Sequence, residues 1–210
     1  DLTWRDVQHI LVRSSQKVDS NHLGWFKTEA NRDYNNAYGY GLVDAAAAVN
    51  IAENWQSVGS EVSVNTGRIV VDSYILDDNN AGVTSEIFVH QSINLETIEV
   101  LVKIDHSDRG DLNLFLESPN GIISELVREN NADLEENYNN WSFTTVVHWD
   151  ENSFGLWKLK VNDTEDKTSG TWKYWNMTMY GSAEPDDDED GLPNYADSKL
   201  GTGINNPDFD

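Results

Sequence analysis

Apolar residues at the start of the chain recur at helical spacing. Trp4, Val7, Ile10 and Leu11 share one stripe with Ser14, and Thr3 stands at the N-cap position. This predicts an amphipathic helix. The stretch from Val18 to Asn36 is polar and has no clear period. A second helix is predicted where Tyr38-Gly39-Tyr40-Gly41-Leu42-Val43-Asp44 runs into Ala45–Ala48, Val49, Ile51 and Ala52, because consecutive alanines favour helix and allow close packing. Two helices joined by a long polar loop cannot bury a core by themselves. Residues 1–57 are therefore expected to need a larger partner.

From about Glu61 to Ser182 the period switches to two. Ile98, Val100, Val102 and Ile104 alternate with Thr97, Glu99, Leu101 and Lys103, and Leu112, Leu114 and Leu116 form another such face. Ser118-Pro119-Asn120-Gly121 marks a turn before a strand over Ile122–Val127. Further strands are expected at Trp141–Trp149, Leu156–Val161 and Thr171–Tyr180. Short strands separated by Asp, Asn and Gly clusters indicate a mainly β domain, an antiparallel sandwich or jelly roll, over residues 58–183.

Residues 184–210 lose this alternation and form a third segment. Counting Asp186 as position 1 of a twelve-residue calcium loop places Asp188 at 3, Asp190 at 5, Gly191 at 6, Leu192 at 7, Asn194 at 9 and Asp197 at 12. Alternate short carboxylates can converge there, the glycine permits a sharp turn, and the Leu192 carbonyl would complete a ring of oxygen ligands. Oxygen-only ligands select Ca²⁺ over transition metals. Position 12 is Asp where Glu is usual, so its reach is shorter. The loop is closer to dockerin and thrombospondin type 3 loops than to a helix-flanked EF-hand. Asp208 and Asp210 resemble the start of a second loop. Asp77, Asp78 and Asp163 could bind metal within the β domain, but no spacing supports them.

Composition narrows the function. The 210 residues carry a net charge of −23, which disfavours nucleic acid and anionic lipid and suits hard cations. With no cysteine, disulfides and thiolate metal sites are excluded. No apolar run is long enough for a membrane span. Neither an initiator Met nor a signal-peptide pattern opens the chain, so residue 1 is expected to lie inside a longer protein. The five histidines belong to no ligand or nucleophile motif and are expected to be structural. Trp141, Trp149, Trp157, Trp172 and Trp175 alternate like core residues. A free-standing sandwich that binds carbohydrate or protein through these rings is the alternative. Arg109-Gly110-Asp111 opens a strand, which disfavours an adhesion role. No Gly-Thr-Ser or His-Gly-Thr segment is present to supply a nucleophile and base, so this chain is not expected to hydrolyse peptides.

Several ordered motifs resemble the kexin/furin-like branch of the subtilisin superfamily. Leu2-Thr3-Trp4-Arg5-Asp6-Val7-Gln8-His9 is similar to the helix after the catalytic serine. Tyr38-Gly39-Tyr40-Gly41-Leu42-Val43-Asp44-Ala45, ending at Asn54-Trp55, resembles the close of the subtilisin-like α/β domain. His106 to Leu112, Ser118 to Gly121, Asn140 to Phe143, Trp149-Asp150-Glu151, Gly155 to Leu159 and Gly170 to Gly181 resemble the P domain. The resemblance implies a β jelly-roll barrel that docks on the catalytic domain and supports its folding, calcium dependence and activity. It also implies a secreted serine endopeptidase as the parent, with Asp, His and Ser catalytic residues upstream of Asp1. Protein or peptide substrates would be bound upstream as well. The lack of cysteine and the calcium tail point to a bacterial exoprotease.

Overall fold

A computed structural model describes residues 1–166, 168–202, 204 and 205. The chain divides into two compact units, Asp1–Ser60 and Glu61–Asp210.

In the first unit, α1 (Trp4–Ser14) begins at a capping box in which Thr3 and Asp6 satisfy each other's backbone amides. Helix α2 (Ala45–Ala52) is capped by Asp44, whose carboxylate accepts the Ala47 amide at 2.9 Å. Between the helices, β1 (Phe26–Lys27) pairs antiparallel with β2 (Asp33–Tyr34), in a stretch where the sequence pattern predicts no element. Rings supply what periodicity lacks: Phe26 packs on Tyr34, and Tyr34 meets Tyr40 edge to face.

Asp6 ties this unit together. Its fully buried carboxylate accepts from five donors: Thr3 N and Oγ1, Trp55 Nε1 at 2.8 Å, Ser57 Oγ at 2.8 Å and Val58 N at 2.8 Å. Burial opposes the charge, but these hydrogen bonds outweigh it and hold the carboxyl far below the ordinary carboxylate range. Apolar burial is sparse by contrast. Ile10 is the unit's one buried hydrophobic side chain among the described residues, and α2 buries none of its residues.

The second unit contains β3 (Glu61–Asn65), β4 (Ile69–Ile75), β5 (Asn79–Val89), β6 (Ile93–His106), β7 (Leu112–Glu117), β8 (Ile123–Val127), β9 (Tyr138–Thr145), β10 (Gly155–Asp163) and β11 (Gly170–Ala183). One sheet runs β5-β10-β7-β8; the other runs β3-β11-β6-β9, with β4 also paired to β11. All pairings are antiparallel. The inward faces meet in one core. Leu112, Leu114, Leu116, Leu159 and Val161 come from the first sheet, and Val100, Val102, Ile104, Met177 and Met179 from the second.

The expected mainly β class holds, although the sheets do not close on themselves, so the layers form an open sandwich in place of a barrel. The predicted strand at Trp141–Trp149 starts earlier, at Tyr138, and ends at Thr145, after which the chain turns. Trp149, Trp157, Trp172 and Trp175 are buried, whereas Trp141 lies half-exposed beneath the Arg109 guanidinium. Arg109-Gly110-Asp111 forms a short 3₁₀ turn with Gly110 and Asp111 buried. Its arginine is hydrogen-bonded to Asp133 at 3.0 Å, which raises the guanidinium pKa and lowers that of the carboxyl. The tripeptide is structural.

Two buried histidine–carboxylate pairs accompany the core. His106 Nε2 lies 3.1 Å from Asp163, and His148 Nδ1 lies 2.6 Å from Glu151. Burial pushes the Asp163 carboxyl above its ordinary range, with His106 acting in the opposite direction.

Candidate metal centre in the acidic tail

The end of β11 fixes where the tail begins. Glu184, the next residue, accepts hydrogen bonds from Asn152 Nδ2 at 2.9 Å and from the Ser92 hydroxyl. The Pro185 carbonyl accepts the Asn194 amide at 2.9 Å, where α3 (Asn194–Leu200) starts. Both ends of the intervening loop are thus pinned together. Glu189 and Gly191 take left-handed backbone conformations, with φ of 58° and 96°, and turn the chain sharply between them.

This turn gathers the acidic side chains. Ligand oxygens of Asp186, Asp188 and Asp190 all lie within 4.8 Å of one another. Backbone amides orient two of them: Gly191 N donates to Asp186 Oδ2 at 3.1 Å, and Leu192 N donates to Asp190 Oδ1 at 2.7 Å. Asp186 Oδ1 is buried without a hydrogen-bond partner. Two carboxylates at such a spacing repel by roughly 3 kcal/mol at an effective dielectric constant of about 20. A divalent cation among them would reverse that sign.

The remaining predicted positions lie differently. Asn194 directs its side chain to Asp187, accepting the Asp187 amide at 3.0 Å and donating to its carboxylate at 2.9 Å. Leu192 is half-buried. Asp197 is fully buried; its Oδ1 accepts the Thr202 hydroxyl at 2.6 Å, and its Oδ2 has no hydrogen-bond partner. The structure therefore brings three of the six positions into one cluster and leaves Asp197 as a buried carboxylate with one unsatisfied oxygen. Asp208 and Asp210 lie outside the described residues.

Sequence periodicity does not reveal Glu184 and Asp187, which position the loop, Thr202, which bonds Asp197, or α3 itself. Gly201 carries a usable signal: it sits just past the helix at φ 81° and its amide bonds to Asp197 O at 2.8 Å, a left-handed helix stop. Among the described residues, Asp186, Asp188 and Asp190 are the one group of carboxylates and histidines with metal-holding geometry.

The open antiparallel sandwich that follows a small helical unit has a counterpart among solved structures. A serine protease of Aeromonas sobria aligns over 86% of this chain and 40% of its own, with a TM-score of 0.80 and 22% identity, a likeness of fold. Residues 95–179 match the proprotein convertase P-domain family. The dibasic-processing endoprotease of Schizosaccharomyces pombe is 35% identical, over 92% of this chain and 29% of its own length. Human proprotein convertase subtilisin/kexin type 6 is 34% identical, over 87% of this chain and 20% of its own. The protein is thus of the P-domain class. The chain belongs to the kexin/furin-like family of subtilisin-superfamily serine proteases, and it spans less than a third of the length of these curated relatives. No helix among the described residues is long and apolar enough to cross a membrane.

Proposed function

We propose that this chain supplies the closing part of the catalytic domain and the P domain of a secreted, calcium-dependent, kexin-like serine endopeptidase. In this reading the sandwich stabilises the catalytic domain and supports its folding. The observation that carries it is the uncovered apolar surface of the first unit. Trp4 is 66% exposed, Val49 59% and Val43 56%, and Val7 and Leu42 are exposed as well. Helices that bury so little of their apolar surface suit the edge of a larger fold whose other elements cover it. The partner is then the subtilisin-like domain of the same protein, and the substrates are those of that domain. The test is deletion of residues 61–183 from the parent protease. Loss of soluble, active enzyme is expected, and full activity without the sandwich would refute the supporting role.

Calcium binding in the tail is part of the same proposal, with Asp186, Asp188, Asp190 and Asp197 as its carboxylates. The converging oxygens and the unsatisfied Asp186 Oδ1 and Asp197 Oδ2 support it. Oxygen-only loops of this kind include weak sites suited to extracellular calcium levels, which agrees with secretion. Titration calorimetry should show a tail site that Asp188→Ala or Asp190→Ala removes. Unchanged binding in both variants would refute the loop assignment.

A further inference from the structure

The tail helix lies against one end of the sandwich. A cavity of about 330 Å³ is lined on the sandwich side by Phe88, Pro119 and Phe154, and on the α3 side by Tyr195, Lys199 and Leu200. Phe88 and Phe154 meet edge to face at 5.3 Å, and the Asn120 side chain donates to the Tyr195 hydroxyl at 3.4 Å. The helix has seven residues and no side-chain hydrogen bond at its N-cap. Helices shorter than about 12–15 residues are marginal without tertiary support. Seating α3 also buries Ala196 and Asp197 completely. Burying a carboxylate with an unsatisfied oxygen is unfavourable, and so is crowding three more carboxylates into the preceding turn. A cation among Asp186, Asp188 and Asp190 would relieve the crowding in the turn that leads into the helix.

We propose that the loop and α3 form a calcium-controlled cap on this end of the sandwich. With calcium bound, the helix stays seated over Phe88, Pro119 and Phe154. Without it, the helix lifts away and uncovers this apolar cavity. The inference rests on the calcium reading of the tail and adds a consequence for the neighbouring surface. Glu184, held by Ser92 and Asn152, is the fixed hinge, because its anchor on the sandwich involves no residue of the acidic cluster.

The experiment is hydrogen exchange of the α3 amides in the whole chain, with calcium and with chelator, beside calorimetric calcium titration. Three proteins are compared: the unaltered chain, Asp188→Ala and Leu200→Ala. With free calcium one hundred times above Kd, exchange at the Gly201 amide should slow by up to about 100-fold in the unaltered chain. Asp188→Ala should abolish both binding and slowing. Leu200→Ala lies outside the sandwich core and the loop, and it should weaken calcium affinity by the factor by which it loosens the helix, since coupling between binding and docking is reciprocal. Calcium binding with unchanged α3 exchange would overturn the cap and leave the calcium reading standing. Absence of calcium binding would overturn both.

Discussion

Replacing Asp6 by alanine removes the acceptor on which the first unit converges. The side chain is fully buried and receives Thr3, Trp55, Ser57 and Val58. Hydrogen bonds to a charged group contribute about 1.5–3 kcal/mol each when deleted singly, but members of one network do not add. Stranding the Trp55 indole N–H and the Val58 amide places the total loss at roughly 3–5 kcal/mol. Asp6→Asn keeps one acceptor oxygen and should lose about half as much. A two-unit chain need not unfold in one step, so the suitable assay is hydrogen exchange of peptides covering α1 and residues 55–58. A loss of about 3 kcal/mol corresponds to exchange more than about a hundredfold faster, at about tenfold per 1.4 kcal/mol. The pH dependence follows from the depressed folded-state pKa. The contribution of Asp6 is fully present above the unfolded-state value near 3.8 and fades as pH falls below it. The unaltered chain and Asp6→Ala should therefore differ most near neutrality and converge in acid. Equal exchange in the two proteins at pH 7 would refute the idea that Asp6 holds this unit together.

Three further substitutions test the sandwich. Leu159→Ala empties a fully buried position and should lower stability by about 2–5 kcal/mol in urea unfolding followed by tryptophan fluorescence. Glu151→Ala strips His148 of its hydrogen-bond partner at 2.6 Å in a buried setting; a loss of about 1.5–3 kcal/mol is expected, and an unchanged urea midpoint would count against the pair as a structural tie. Gly181→Ala would place a Cβ on the Asn94 carbonyl oxygen where β11 and β6 shift register, so a loss of about 1–3 kcal/mol should appear in the same unfolding curves.

Much of the fold was legible because burial wrote itself into period. In β6 the residues Ile98, Val100, Val102 and Ile104 face the core, as their alternation predicts. Helix α2 forms where its consecutive alanines predict it. Elements held by other forces were not legible. The two-residue strands β1 and β2 are too short for alternation to show and are held by ring contacts. Helix α3 is one short run whose apolar residues are few, so only Gly201 marks it. Long-range polar pairs leave no local trace: His106 and Asp163 are 57 residues apart in sequence, and Asp6 and Val58 are 52 apart. In the tail, spacing pointed to the cluster of Asp186, Asp188 and Asp190. It could not show that Asn194 would pair with Asp187, because that choice is made by the loop's pinned ends.

If the first unit is one edge of a hydrolytic domain and the sandwich its support, the native protein carries a reactive serine ahead of Asp1. Labelling the native protein with a fluorophosphonate serine-hydrolase probe, after capture by an antibody against residues 61–183, tests this most directly. A labelled polypeptide is expected, with its modified serine mapping ahead of Asp1 in the same chain. A captured native polypeptide that takes no label and carries no subtilisin-like sequence would contradict it.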